Sequence, residues 1–402
     1  MGGFHGTIRI RAVHREVPRR RYRRRHGARG GPQMRPAARL EGVGLSIIRR
    51  MNVGAPVGAV SLGLGEPSWP LPEAAVRALG RTDGACAYGP NEGLQDLRDA
   101  VAGLYGVSKA SVMIGAGSQG VLFSLFQAWS EPGRAVLVPD PGFVAYPTLA
   151  RLAGAVPVTY PLGTGGRLDA AALIAALKEH PEAAMAIVNH PGNPCGGGAD
   201  PGDLARVADA CRDAGVILVS DEVYGELYLG ARPTRLVDVS DYGVSVSSVS
   251  KAWGAPGLRV GWAVGDPGIL EPARLIHNYM TTAAARPCQE AALALIADSA
   301  TVLPAARLAL RKRWDALASA LASGLGMTAS IPAGAFYFWL SLPPAFADDP
   351  LPFCLRLRDE AEVIVVPGLA FGRLGNDYVR LSFAGEPGTI AEGVRRLAPF
   401  WR

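Results

Sequence analysis

From Val60 onward the chain alternates short, nearly unbroken apolar runs with helix-length amphipathic stretches. The runs cover residues 112–114, 135–139, 185–189, 216–220, 244–249 and 260–264, and the stretches at 93–105, from the Gly-rich turn through 129, 146–153 and 203–214 read as helices. A strand with one wet face alternates apolar and polar residues. Near-continuous apolar content instead requires both faces to be covered. Strands separated by helices connect by right-handed crossovers, which gives a mostly parallel sheet. After residue 285 the texture changes. A long helical stretch surrounds 305–325, strand-like runs follow at 336–342, 363–366 and 378–383, and a helix at 390–397 closes the chain. The expected fold class is therefore α/β. A mostly parallel sheet with helices on both faces spans 61–285, and a smaller α+β domain spans 286–402. Residues 34–60 are expected to pack with that smaller domain. No internal repeat is visible.

Charge is distributed unevenly. Residues 1–33 hold ten arginines and one acid, a formal +9, so the overall +6 leaves −3 for residues 34–402. The basic character belongs to an arm and not to the folded body. The stretch Arg19-Arg20-Arg21-Tyr22-Arg23-Arg24-Arg25 has the composition of a tail for nucleic acid or an anionic surface, or of a transit peptide, and nucleic acid is not the expected partner. The preferred reading is a disordered extension, in one version an over-long translation start with Met34 as the natural beginning. The five cysteines, Cys86, Cys195, Cys211, Cys288 and Cys354, are scattered and form no C-x-x-C pair. That argues for reduced thiols, a cytoplasmic setting and no metal cluster. No run reaches the ~18–20 apolar residues of a membrane helix.

Lysine is scarce, with only Lys109, Lys178, Lys251 and Lys312. Three of these lie in helix-like stretches. Lys251 instead ends an apolar run and opens a Gly/Pro-rich turn that leads to Arg259. Loops at strand ends are where α/β scaffolds place their chemistry. A lysine there, with a guanidinium nearby, fits a Schiff-base amine beside a phosphate anchor. Gly115-Ala116-Gly117-Ser118-Gln119-Gly120 joins a strand to a helix, and a helix N-terminus offers free N–H groups to an anion. Asn193 stands in a turn-rich stretch after a strand, where it is either a ligand donor or a structural turn residue. Asp221 ends an apolar strand, with Tyr224 three residues later. A carboxylate buried there needs a cationic partner, and the alternative is a helix cap. Arg380 lies inside an apolar strand, where it pairs either with a substrate carboxylate or with a structural acid.

In combination these residues resemble the class I/II aminotransferases, the fold-type-I pyridoxal-phosphate enzymes. The resemblance runs from about Leu40 to the C-terminus, with its motifs in the family's order. They are Leu62-Gly63-Leu64-Gly65-Glu66-Pro67, Tyr88-Gly89-Pro90-Asn91-Glu92-Gly93, Gly117-Ser118-Gln119 and Pro139-Asp140-Pro141-Gly142-Phe143. Asn193-Pro194, Asp221 with Tyr224, Ser248-Val249-Ser250-Lys251, Arg259 and Arg380 complete the set. The resemblance implies pyridoxal 5'-phosphate as cofactor, and an amino acid with a 2-oxo acid as substrates. It implies Lys251 as the Schiff-base lysine and later base. Asp221 becomes the partner of the ring nitrogen. Asn193 and Tyr224 become donors to the ring oxygen, and Phe143 the stacking ring. Gly117, Ser118, Gln119, Ser248 and Arg259 form the phosphate cup. Arg380, with the Gly65 backbone, becomes the clamp on the substrate carboxylate. Tyr88 would reach a neighbouring subunit's site, which implies a homodimer. Cys195 departs from the family's usual threonine, at a position that shapes the turn.

Other readings compete. Gly115 to Gly120 with Asp140 matches a dinucleotide-binding pattern, but that reading leaves Lys251, Arg259, Asp221 and Asn193 unexplained together. A β-lyase, cyclase or decarboxylase would use the same cofactor residues. A transcription factor with an aminotransferase-like body would need a longer arm with apolar periodicity. The aromatic run Phe336-Tyr337-Phe338-Trp339 either lines a pocket or belongs to the core.

Overall fold

The computed structural model describes residues 35–80, 87–347 and 350–401. The basic arm at 1–33, Met34 and Cys86 lie outside the described residues. The chain divides into the units Met1–Ala38 and Arg39–Arg402, and all the elements discussed below belong to the second.

In chain order, the described strands are β1 (Val60–Ser61), β2 (Val112–Gly115), β3 (Ala135–Asp140), β4 (Val156–Pro161), β5 (Ala183–Asn189) and β6 (Ile217–Asp221). They continue with β7 (Val244–Ser248), β8 (Gly261–Gly265), β9 (Tyr337–Ser341), β10 (Val363–Ile364), β11 (Val366–Pro367) and β12 (Tyr378–Ser382). Seven of them form the main sheet in the order β2-β8-β7-β6-β5-β3-β4. Pairing is parallel from β7 through to β4. β8 alone runs against its neighbours β2 and β7.

Both faces of this sheet are covered, as the continuous apolar runs require. Val136 and Val138 of β3 pack in one core with Leu122, Leu125 and Leu149 from the helices Gly117–Trp129 and Ala145–Leu152. Ala135 and Leu137 of the same strand pack in another, against Leu173 and Leu204 from Ala170–Glu179 and Pro201–Ala214. Successive side chains of a strand point to opposite faces, so one apolar run supplies both cores.

The C-terminal strands form a sheet of their own, β11-β12-β9, antiparallel throughout. A separate parallel pair joins β1 to β10. A third core unites Ile114 and Trp262 of the main sheet with Leu340, Val379 and Leu381 of the small one. The Leu62 carbonyl accepts from the Ser382 amide at 2.6 Å, which brings the segment after β1 alongside β12. The 363–366 run is not one strand: it splits between two sheets.

Candidate active site

The parallel strands deliver their carboxyl ends to one edge of the sheet. β2 ends at Gly115, β3 at Asp140, β5 at Asn189, β6 at Asp221 and β7 at Ser248. Because β8 is antiparallel, the residues before Gly261, including Arg259, reach the same edge. Ligands of open α/β sheets bind there. A cleft of about 270 Å³ opens at this edge, lined by Gly65, Ser118, Gln119, Phe143, Asn193, Asp221, Tyr224, Lys251, Arg259 and Arg380. Residues scattered over more than 300 positions of sequence therefore share one cavity.

Its centre is Lys251. The ammonium Nζ donates to the Gly65 carbonyl at 2.8 Å and lies over the Tyr224 and Phe336 rings at 5.6 and 5.7 Å. Asp221 is buried, and its Oδ2 accepts from the Tyr146 hydroxyl at 2.7 Å. Burial pushes the Asp221 carboxyl up to about 6, against the pull of the Tyr146 hydroxyl, the Val223 N–H and the Lys251 charge. A cation placed against this carboxylate would relieve that cost. The main chain beneath it is firmly held: Asn189 Nδ2 donates to the Asp221 carbonyl at 2.8 Å, and Asn189 Oδ1 accepts from the Asn193 N–H at 2.8 Å.

One end of the cleft is built for an anion. The helix Gly117–Trp129 begins without a side-chain cap, which leaves its first N–H groups free of a side-chain acceptor, and Ser118 and Gln119 of this first turn line the cleft. Gly117 has φ +74°, and a Cβ there would stand 2.5 Å from Arg259 Nη2. Only glycine lets the guanidinium come this close. His277, buried, accepts the Ala116 N–H through Nε2 at 3.0 Å and fixes the turn from behind. Ser248 is fully buried and its Oγ accepts from the Ser250 N–H, while Ser250 lines the cleft.

The other end is Arg380. Its Nη1 donates to Asn193 Oδ1 at 2.8 Å and its Nη2 to the Gly63 carbonyl at 2.6 Å. Its plane stacks between Tyr337 and Phe371, with centroids 4.3 and 4.8 Å away. Nε is buried without a partner. No acid pairs with it among the described residues, so the structural-ion-pair alternative finds no support there. The Tyr224 hydroxyl lies 2.8 Å from the Tyr337 hydroxyl, and Tyr337 lines the cleft.

Two residues singled out from sequence stand elsewhere. Asp140 is buried, accepts the Arg373 and Leu374 N–H groups at 3.1 Å and does not line the cleft. Tyr88 is 87% exposed and does not line this chain's cleft. Tyr146 and Asn189 line the cleft as well, although sequence reasoning assigned neither a role, and of the aromatic run 336–339, for which sequence left pocket and core open, Tyr337 lines the cleft.

Residues 58–397 match the family model for aminotransferase class I and II. The chain belongs to the class I and II aminotransferases. It is 33% identical to a probable aspartate/prephenate aminotransferase of Thermus aquaticus, over 85% of this chain and 91% of that protein. It is 30% identical to an LL-diaminopimelate aminotransferase of Desulforudis audaxviator, over 85% and 90%. Among solved structures, the aspartate aminotransferase from Thermus thermophilus with maleate superposes with a TM-score of 0.84, at 29% identity, over 91% of this chain and all of that one.

This aminotransferase depends on pyridoxal phosphate and moves an amino group between an amino acid and a 2-oxo acid. The residues present fit that cofactor. Among the described residues the buried Asp221 carboxylate lacks a countercharge in direct contact, the uncapped helix start adjoins a guanidinium across a glycine cradle, and a lysine amine lies in the same cavity.

Proposed function

We propose specific roles for the cleft residues of this aminotransferase. Lys251 supplies the amine that holds the cofactor, and Nζ then carries the proton at the substrate's Cα. When bound, pyridoxal phosphate supplies an electron sink for that carbon. Asp221 keeps the ring nitrogen protonated, while Asn193 and Tyr224 donate to the ring oxygen and Phe143 stacks on the ring face. Gly117, Ser118, Gln119, Ser248 and Arg259 hold the phosphate. Arg380, with the Gly65 backbone, clamps the substrate carboxylate, since a guanidinium matches a carboxylate bidentately. The observation that carries this reading is the shared cavity, in which Lys251 and Asp221 lie together with Arg259 and Arg380.

Further features belong to the same proposal. The protein works as a cytoplasmic homodimer, with Tyr88, exposed on its own chain, entering the neighbour's site. Among the described residues no single helix is long and apolar enough to cross a membrane. The cofactor-binding part spans 61–285 and the smaller part 286–402.

Lys251→Ala tests the assignment. The variant is expected to lose the bound cofactor's visible absorbance band and ~10²–10⁴-fold in turnover, the usual worth of general base catalysis. Turnover close to wild type would sink it. A screen of amino-acid donors against 2-oxoglutarate then reads out the substrate side chain.

A further inference from the structure

Strand alternation sends Asp221 and its two sequence neighbours to opposite faces of β6. Asp221 meets Tyr146 on the cleft side. Ser220 and Glu222 point the other way, into a buried polar cluster with Ser245 of β7 and His190 from the turn after β5. Glu222 Oε1 accepts from Ser220 Oγ at 2.8 Å, Ser245 Oγ at 2.9 Å and the Leu236 N–H at 2.7 Å. Ser220 and Ser245 are register partners on adjacent strands, and the Ser220 hydroxyl lies 3.0 Å from His190 Nε2.

The main chain at this point is tied from both sides. The His190 N–H donates to the Asp221 carbonyl at 3.2 Å, and the Glu222 N–H donates to the Val246 carbonyl at 2.8 Å. One carboxylate oxygen thus joins β6 to β7 and to the Leu236 turn, and through Ser220 to the end of β5. The junction lies beside the residue whose side chain enters the cleft. Keeping an acid here is costly. Burial pushes the Glu222 carboxyl up to about 7, against the pull of the Leu236 N–H, Ser220, Ser245 and Arg235. Burial pushes His190 down to about 4, so a neutral imidazole faces it and supplies no countercharge at neutral pH. Tyr105 and Arg235 face Glu222 across a cavity of about 30 Å³, large enough for a water. None of the roles proposed above uses this acid.

We propose that Glu222, bridged to His190 through Ser220, is a positioning residue: it fixes the backbone from which Asp221 enters the cleft, and so sets the affinity for the cofactor. The inference rests on Asp221 being the partner of the cofactor's ring nitrogen.

The test uses the full chain, stripped of cofactor and titrated with pyridoxal phosphate by tryptophan fluorescence. Steady-state kinetics and thermal melts run in parallel. Glu222→Ala leaves three buried donors without their acceptor, so its Kd for pyridoxal phosphate is expected to rise, and kcat to fall, by about tenfold or more. KM for the amino donor should stay within about twofold, because Arg380 is untouched. Glu222→Gln retains an acceptor oxygen and is expected to restore the affinity to within about threefold. Wild-type affinity and kcat in Glu222→Ala overturn the proposal, and so does a Glu222→Gln variant as weak as the alanine one. If Glu222→Ala does not fold, Ser220→Ala decides, with a rise of about threefold in Kd supporting the proposal and no change overturning it. Asp221→Ala is the separate control. Wild-type affinity there overturns the reading of Asp221 itself, and the proposal with it.

Discussion

The Tyr146 hydroxyl, 2.7 Å from Asp221 Oδ2, is the one side-chain donor to that carboxylate among the described residues. A hydrogen bond to an ionised acid lowers its pKa, and removing the donor raises it. Tyr146→Phe keeps the ring that packs edge-on against Phe143 and deletes only this donor. Hydrogen bonds to charged groups are worth roughly 1.5–3 kcal/mol, so the acid limb of the kcat/KM profile is expected to move up by about one to two pH units. An unmoved acid limb would show that Asp221 does not depend on Tyr146. Sequence made the charged residues conspicuous: Lys251, Asp221, Arg259 and Arg380 each stand in apolar or Gly/Pro-rich surroundings where a charge needs a reason. Tyr146 and Tyr337 gave no such signal. Each sits in a helix or strand whose apolar ring belongs in a core. Only the fold reveals what the hydroxyl meets, across separations of 75 and 113 residues.

At the scale of elements, legibility followed burial. Strands buried on both faces read as apolar runs, and β3, β5, β6 and β7 were visible to within a residue or two. β4 was missed because it is an edge strand whose residues, Tyr160 apart, are exposed or half-buried, so it carries no continuous run. The reversed direction of β8 was equally hidden, because composition has no polarity along the chain. The element that matters most is the helix Gly117–Trp129, whose start was legible from its glycines. Gly117→Ala is expected to act through both backbone and contact. The left-handed φ costs any side chain roughly 1–2 kcal/mol, and the new Cβ would displace Arg259 Nη2. Gly133, at φ +83° with nothing within 4 Å of its Cβ, isolates the backbone cost. Cofactor titration should therefore show about tenfold or more weakening for Gly117→Ala and almost none for Gly133→Ala, although both lower Tm. Equal cofactor affinity in the two variants would remove the Gly117–Arg259 contact from the account of the phosphate site.

At the scale of the whole molecule, the question is whether one chain holds a complete site. The cleft gathers ten of the side chains and backbone positions expected from sequence, but Tyr88 is not among them, and its ring is turned to solvent. Such a tyrosine serves a site on another copy, its own chain's site or none. Mixing two crippled variants separates these outcomes. Lys251→Ala lacks the amine and keeps Tyr88, and Tyr88→Ala lacks the ring and keeps Lys251. In a twofold dimer with sites shared between subunits, every hybrid holds one site with both defects and one with neither. Random reassociation makes half of the dimers hybrids, so activity at limiting cofactor is expected to recover to about a quarter of wild type. If Tyr88 served its own chain, each site in the hybrid would carry one defect and nothing would be regained. If it served no site, Tyr88→Ala would be fully active alone, and mixing it with Lys251→Ala would only dilute it. The recovered fraction, read against the activity of each parent, therefore reports whether the catalytic unit is one chain or two.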